Sequence, residues 1–174
     1  MQIPYTKTTP GNGRDVIVHE TNGLAIGGTG VQTQAGSGSI LLSVDAGDLV
    51  VNNAIAAQGD GNVTLNAETG AVRLSAGVSS ATGDLTITGD TVFQNAGGNL
   101  STSTAVLEIG KIAVTADGGS ITMADGTMAV TRTGTITYTA TGDVALSLLS
   151  STSGDLLVTA GSGASMVGAI LDNT

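Results

Sequence analysis

"GSGSILLSVDAGDLVV", residues 36 to 51, places two short alternating runs on either side of a Gly-containing break. Ile40, Leu42 and Val44 share one side of an extended chain, because side chains in a strand alternate with a period of two, and Leu49 and Val51 do so again. Between the runs "DAGD" reads as a corner, where Gly47 can take a positive φ that residues with a Cβ adopt less readily. The stretch predicts two strands that meet at an angle and face one interior.

The same phrase recurs. "GNVTLNA" begins at Gly61, "GDLTITG" at Gly83, "GSITMAD" at Gly119, "GTITYTA" at Gly134 and "GDLLVTA" at Gly154. A second alternating run follows each, as in "AVRLSA" from Ala71 or "DVALSL" from Asp143, and the early copies add a third, weaker one such as "NAIAAQ". Two or three short strands per unit, at a pitch of roughly 16 to 23 residues, are the pattern of a parallel β-solenoid. A β-sandwich also has closely spaced strands, but it does not repeat a Gly-polar-apolar register at a nearly fixed pitch. The expected fold is all-β, a right-handed parallel β-solenoid of about seven coils, its hand taken from the general preference of parallel crossovers.

Alignment of the coils predicts three aliphatic columns. Ile40, Val63, Leu85, Leu107, Ile121, Ile136 and Leu156 form the first, and Leu42, Leu65, Ile87, Ile109, Met123, Tyr138 and Val158 the second. Leu49, Val72, Val92, Ile112, Met128 and Val144 form the third. Residues 1–22 read as a polar lead, cap or linker and 23–174 as the solenoid, a piece of a longer repeat array.

Composition agrees. Of 174 residues 27 are Gly and 40% are hydrophobic, yet there is one Phe, two Tyr and no Trp, so the interior must be thin and aliphatic. Five Lys and Arg against 14 Asp and Glu give a net charge of −9, which argues against a nucleic-acid partner. No run of 18 apolar residues predicts membrane insertion, and the start lacks the apolar core of a signal peptide. With no cysteine there is neither disulfide nor thiolate chemistry.

"GDGNVTLNAETGAVRLSAGVSS", "DGGSITMADGT" and "TGTITYTATGDVALSLLSS" resemble the β-solenoid repeats of giant bacterial surface and secreted proteins, the filamentous-haemagglutinin-like adhesins. The resemblance covers about residues 23 to 172. It implies a non-enzymatic structural or adhesive segment of a fibre, stalk or adhesin, at the cell surface or outside the cell. The expected partners are neighbouring repeats or copies of the chain in a head-to-tail oligomer or filament, together with surface glycans or host receptors.

Parallel β-helices also bind and cleave polysaccharides, the main alternative. The chain has no Asp-Asp or Asp-Glu pair and no His beyond residue 19, so the paired acids of such enzymes are not apparent, and the expectation is no enzyme and no cofactor. His19, beside Glu20, has no second His or Cys with which to hold a metal. Gly-Asp pairs at Asp48, Asp60, Asp84, Asp90, Asp143 and Asp155 fall at changing strand positions, unlike a calcium array, and read as corners where Asp caps its own backbone. A second alternative is an ice-binding face. Thr64, Thr86, Thr88, Thr122, Thr137, Thr139 and Thr159 are expected to point outward in a partial ladder interrupted by Leu41, Glu108 and Leu157, although Thr also suits any exposed strand. Met166, Val167, Ile170 and Leu171 carry neither charge nor proline and are the expected end-to-end contact.

Overall fold

The structure, a computed structural model, describes residues 2–3, 14–34, 36–102, 110–161 and 170–172, and among these there is no helix. It is a parallel β-solenoid with three faces. Val16–Ile26, Ile40–Val51, Val63–Leu74 and Leu85–Gln94 each run along the first face, turn the corner and continue along the second. In the later coils these become separate strands, Ile112–Ala116 with Ile121–Met123 and Ile136–Ala140 with Val144–Leu146. The third face is built from Val31–Gln32, Ile55–Ala57, Val78–Ser80, Leu100–Thr102, Met128–Thr131 and Leu148–Ser151. Every pairing is parallel and joins a strand to its equivalent one coil away.

The first inner column runs Val16, Ile40, Val63, Leu85, Ile112, Ile136, Leu156, in steps of 24, 23, 22, 27, 24 and 20 residues. The pitch is therefore longer than the sequence suggests, because three strands and three corners close each turn. All but Leu156 are buried, and so are Leu42, Leu65, Ile87, Val114 and Tyr138 of the next column. Each buried aliphatic side chain contributes roughly 1.5–3 kcal/mol, so stability is distributed along the axis and not concentrated in one centre.

The expected register fails in the fifth coil. Ile112, expected on the second run, opens the first face between Leu85 and Ile136, whereas Ile121 and Met123 lie on the second face beside Val92 and Gln94. Met128 is exposed at the start of the third face, and its neighbour Ala129 takes the buried place. Leu107 and Ile109 lie outside the described residues. The physical reason is a stack of glycines. At Gly38, Gly61, Gly83, Gly110, Gly134 and Gly154 an added Cβ would come closer than 3.0 Å to a backbone oxygen of the preceding coil. Gly110, not Gly119, occupies this column; Gly119 sits at the next corner, under Gly142. Gly47 takes φ 87° at the first corner, as its sequence context predicts.

Residue 22 does not mark the start of the stack. Val16 already pairs with Ile40, and Gln2–Ile3 pairs in parallel with Ala25 and Ile26.

Candidate functional site

On the first face the outward residues form two columns. One runs Ile17, Leu41, Thr64, Thr86, Ala113, Thr137, Leu157; the other runs His19, Ser43, Asn66, Thr88, Thr115, Thr139, Thr159. Thr115 thus completes an unbroken run of four threonines that the sequence register misses. Thr122 does not belong here; it lies on the second face between Phe93 and Ala145. Glu108 lies outside the described residues. The threonines do not form an open ladder: Thr86 is exposed, but Thr64, Thr88, Thr137, Thr139 and Thr159 are half-buried. Neighbours about 4.8 Å away on either side enclose each of them.

Asp15, Asp48 and Asp84 accept from groups in the neighbouring coil, and for Asp48 and Asp84 this replaces the expected capping of their own backbone. Asp15 Oδ1 accepts the Ser39 N–H, Ser39 Oγ the Asn62 N–H, Asn62 Oδ1 the Asp84 N–H and Asp84 Oδ1 the Lys111 N–H. Lys111 offers no acceptor, and the chain of bonds stops there. At the first corner Asp48 accepts from the Ala71 N–H at 3.0 Å and from Arg73 Nε at 2.7 Å, and Arg73 lies over the Phe93 ring. The Arg73 hydrogen bond, then the Ala71 N–H, hold the Asp48 carboxyl below its ordinary value. The side-chain amides of Asn62 and Asn99 join the same scheme, Asn62 as above and Asn99 by accepting from the Met128 N–H.

A second polar ladder is buried. Ser80 Oγ donates to Gly61 O and accepts from the Gly83 N–H, and Ser151 relates in the same way to Gly134 and Gly154. Thr102 and Thr131 both donate to Gly110 O, and Thr131 also accepts from the Gly134 N–H. Ser80, Thr102 and Thr131 are buried. These hydroxyls satisfy the backbone of the glycine column, where no side chain can help. The sequence signal that could have found them is Ser or Thr three residues before a column glycine, at Ser80, Thr131 and Ser151.

His19 is exposed and joins Ser43 Oγ through Nδ1 at 2.9 Å and Asp45 Oδ1 through Nε2 at 3.1 Å. Hydroxyl, imidazole and carboxylate stand in the order of a nucleophile, a base and its orienter. They stand on the outer side of the first face, where residues 40–44 are paired with a strand on each side. Among the described residues no three His, Asp or Glu side chains are grouped to hold a metal, and no helix is long and apolar enough to cross a membrane.

One concavity of about 270 Å³ lies along the edge of the third face, lined by Ala57, Gln58, Ser79, Ala81 and Ser101 with the engaged hydroxyls of Ser80 and Thr102. Its lining carries no charge. At the far end Met166 and Val167 lie outside the described residues, while the backbone of Ile170 and Leu171 pairs with Val144 and Ala145 on the second face. Among the described residues, the exposed aliphatic side chains at that end are Leu148, Leu156 and Leu157.

No protein-family model, curated protein or solved structure matches the chain.

Proposed function

We propose that the chain is a non-enzymatic structural rod, a segment of a secreted or cell-surface fibre, stalk or adhesin. The observation that carries this reading is where its polar groups go. The corner acids and amides and the buried hydroxyls bond from one coil to the next. Side chains that would converge on a substrate in an enzyme instead tie the stack together along its axis. The resemblance to the repeats of giant bacterial surface proteins points the same way and supplies the location.

A second reading, binding of a neutral glycan, is favoured by one feature: the uncharged, serine-edged concavity beside Ser79 and Ser101. A glycan array, a hydrolase and lyase screen on uronic-acid polymers, and a fluorophosphonate probe together separate the two. The rod reading expects no turnover, no labelling of Ser43 and no glycan retained. Catalysis or labelling overturns it, and a retained glycan lost on Ser101→Trp moves the function to the third-face concavity.

A further inference from the structure

Among the described residues Asn22 is the one asparagine followed by glycine; Asn52, Asn53, Asn62, Asn66, Asn95 and Asn99 each precede a residue with a side chain. In an Asn-Gly pair the side-chain amide is open to attack by the next backbone nitrogen, because no Cβ shields that nitrogen and glycine turns freely about it. At other corners the fold opposes such a reaction. Asn53 Nδ2 donates to Gly28 O and Asn95 Nδ2 to Ser75 Oγ at 3.1 Å, while the Oδ1 atoms of Asn62 and Asn99 accept backbone N–H groups, each bond running to a neighbouring coil.

Asn22 is held differently. It is exposed, and its Nδ2 donates to Thr21 Oγ1, the adjacent residue of its own strand, at 3.5 Å. The backbone is also irregular here. Asn22 pairs with Ala46 and Leu24 with Leu49, so Gly23 alone spans the corner that Gly47 and Asp48 span together in the next coil, and it does so with φ 22°. A chain released from ladder geometry at one residue is free to bring the preceding side chain back onto that residue's nitrogen.

We propose that Asn22–Gly23 is a site of self-modification, at which the chain converts its own asparagine to aspartate and isoaspartate. The Gly23 nitrogen attacks Asn22 Cγ; the new N–Cγ bond closes a succinimide ring, the Cγ–Nδ2 bond breaks, and the amide departs as ammonia with the proton of the Gly23 N–H. Water then opens the ring. Addition at Cγ restores the ordinary backbone and leaves aspartate, whereas addition at the Asn22 backbone carbonyl leaves isoaspartate, with the side-chain methylene now in the main chain. Only water enters the balance.

The position gives the reaction a consequence. Val16 pairs with Ile40 before the corner, and the buried Leu24 and Ile26 pair with Leu49 and Val51 after it. An added main-chain atom between them shifts one set against the other, whereas aspartate with an ordinary backbone only adds charge to a corner that already carries Asp45 and Asp48. Isoaspartate at position 22 therefore loosens this coil on its second face. The Asn52 N–H, held by Ile26 O at 3.0 Å, reports that loosening through amide exchange.

The intact chain is the sample, and either outcome leaves the rod reading untouched. Incubation in mildly alkaline buffer, followed by peptide mapping with fragmentation, should show residue 22 gaining the mass difference between an amide and an acid well before Asn52, Asn53, Asn62, Asn66, Asn95 or Asn99. Labelling by an isoaspartyl methyltransferase should mark the same peptide and vanish in Asn22→Gln. Asn12–Gly13, outside the described residues, is scored separately in the same map. In the aged chain the Asn52 N–H should lose protection several-fold, and in Asn22→Asp, which carries the charge without the inserted atom, it should not. A residue 22 that stays intact in the folded chain but converts in a synthetic peptide of residues 18–27 overturns the proposal, because the corner then blocks ring closure. Conversion of the coil-tied asparagines at the same rate overturns it too, and equal loss of protection in Asn22→Asp, or none in the isoaspartate-bearing chain, overturns the loosening.

Discussion

Tyr138, on the first face, donates its hydroxyl across the interior to Gln94 Oε1 on the second, and Gln94 in turn donates through Nε2 to Gly98 O at 3.0 Å. Both side chains are fully buried or nearly so. This is the one place among the described residues where an aromatic ring enters the aliphatic core, and it does so with its polar atom satisfied. Removing the hydroxyl leaves the Gln94 oxygen orphaned. Tyr138→Phe should therefore cost about 1–3 kcal/mol in urea unfolding, and adding Gln94→Met should recover part of that loss.

The same pair predicts a response to alkali. Burial pushes the Tyr138 phenol well above its ordinary value of 10.0, and the hydrogen bond to Gln94 opposes this only in part. With the folded value raised, the unfolded chain ionises first. The contribution is fully present below pH 10 and is lost as the pH climbs beyond it. Thermal melts between about pH 9 and 11.5 should show this fall in the parent chain and a shallower one in Tyr138→Phe.

How far the sequence can be read depends on which residues carry the register. Gly61, Gly83, Gly134 and Gly154 are legible because glycine, a small polar residue and alternating aliphatics coincide there. Gly119 shows the same local pattern, yet the column runs through Gly110, and only the stacking of one coil on another distinguishes them. Alternation reports which side of a strand faces inward, not which face the strand belongs to, so Ile112, Ile121 and Met123 keep their burial and lose their place. Ser80, Thr102 and Thr131 mislead for the opposite reason. Their hydroxyls suggest solvent, but the backbone of the glycine column needs partners in the interior. The link from Ser43 through His19 to Asp45 is invisible until the coils are aligned, since it joins residues 24 and 26 apart.

The glycine column can be tested against a turn glycine. An alanine methyl at Gly134 would collide with Gly110 O and could be accommodated only if the coils moved apart. Gly126 has φ 76° but open space where a methyl would stand. Gly126→Ala should cost about 1 kcal/mol, from backbone strain alone. Gly134→Ala should cost about 3 kcal/mol or more, in the range of serious overpacking. Equal losses in chemical denaturation would mean that the column is not in close contact.

Inward and outward assignment gives a sharper contrast one residue apart. Leu65 is completely buried between Leu42 and Ile87, so Leu65→Asp places an unpaired charge in the middle of an aliphatic column and should unfold the chain or divide it into two cooperative units. Thr64 points outward between Leu41 and Thr86 and is half-buried by them. Thr64→Lys can extend its ammonium into solvent while its stem covers Leu41, and should change stability by no more than about 0.5 kcal/mol.

The buried hydroxyl ladder separates packing from hydrogen bonding. Thr131→Val keeps the shape of the side chain but removes the donor to Gly110 O and the acceptor for the Gly134 N–H. Gly110 O retains its bond from Thr102, so the larger part of the penalty falls on the Gly134 N–H, which is left facing a methyl group. The substitution should cost about 1–3 kcal/mol despite its conserved volume. Thr131→Ser, which keeps the hydroxyl and loses only a methyl, should cost less. Amide exchange reads the difference directly: the Gly134 N–H should lose protection in Thr131→Val before the Ile136 N–H, which is held by Asp155 O at 2.9 Å in the next coil. If both amides lose protection together, the hydroxyl is holding the whole fifth and sixth coils in place and not one local bond, and the two-coil unit, not the single corner, is the element that opens.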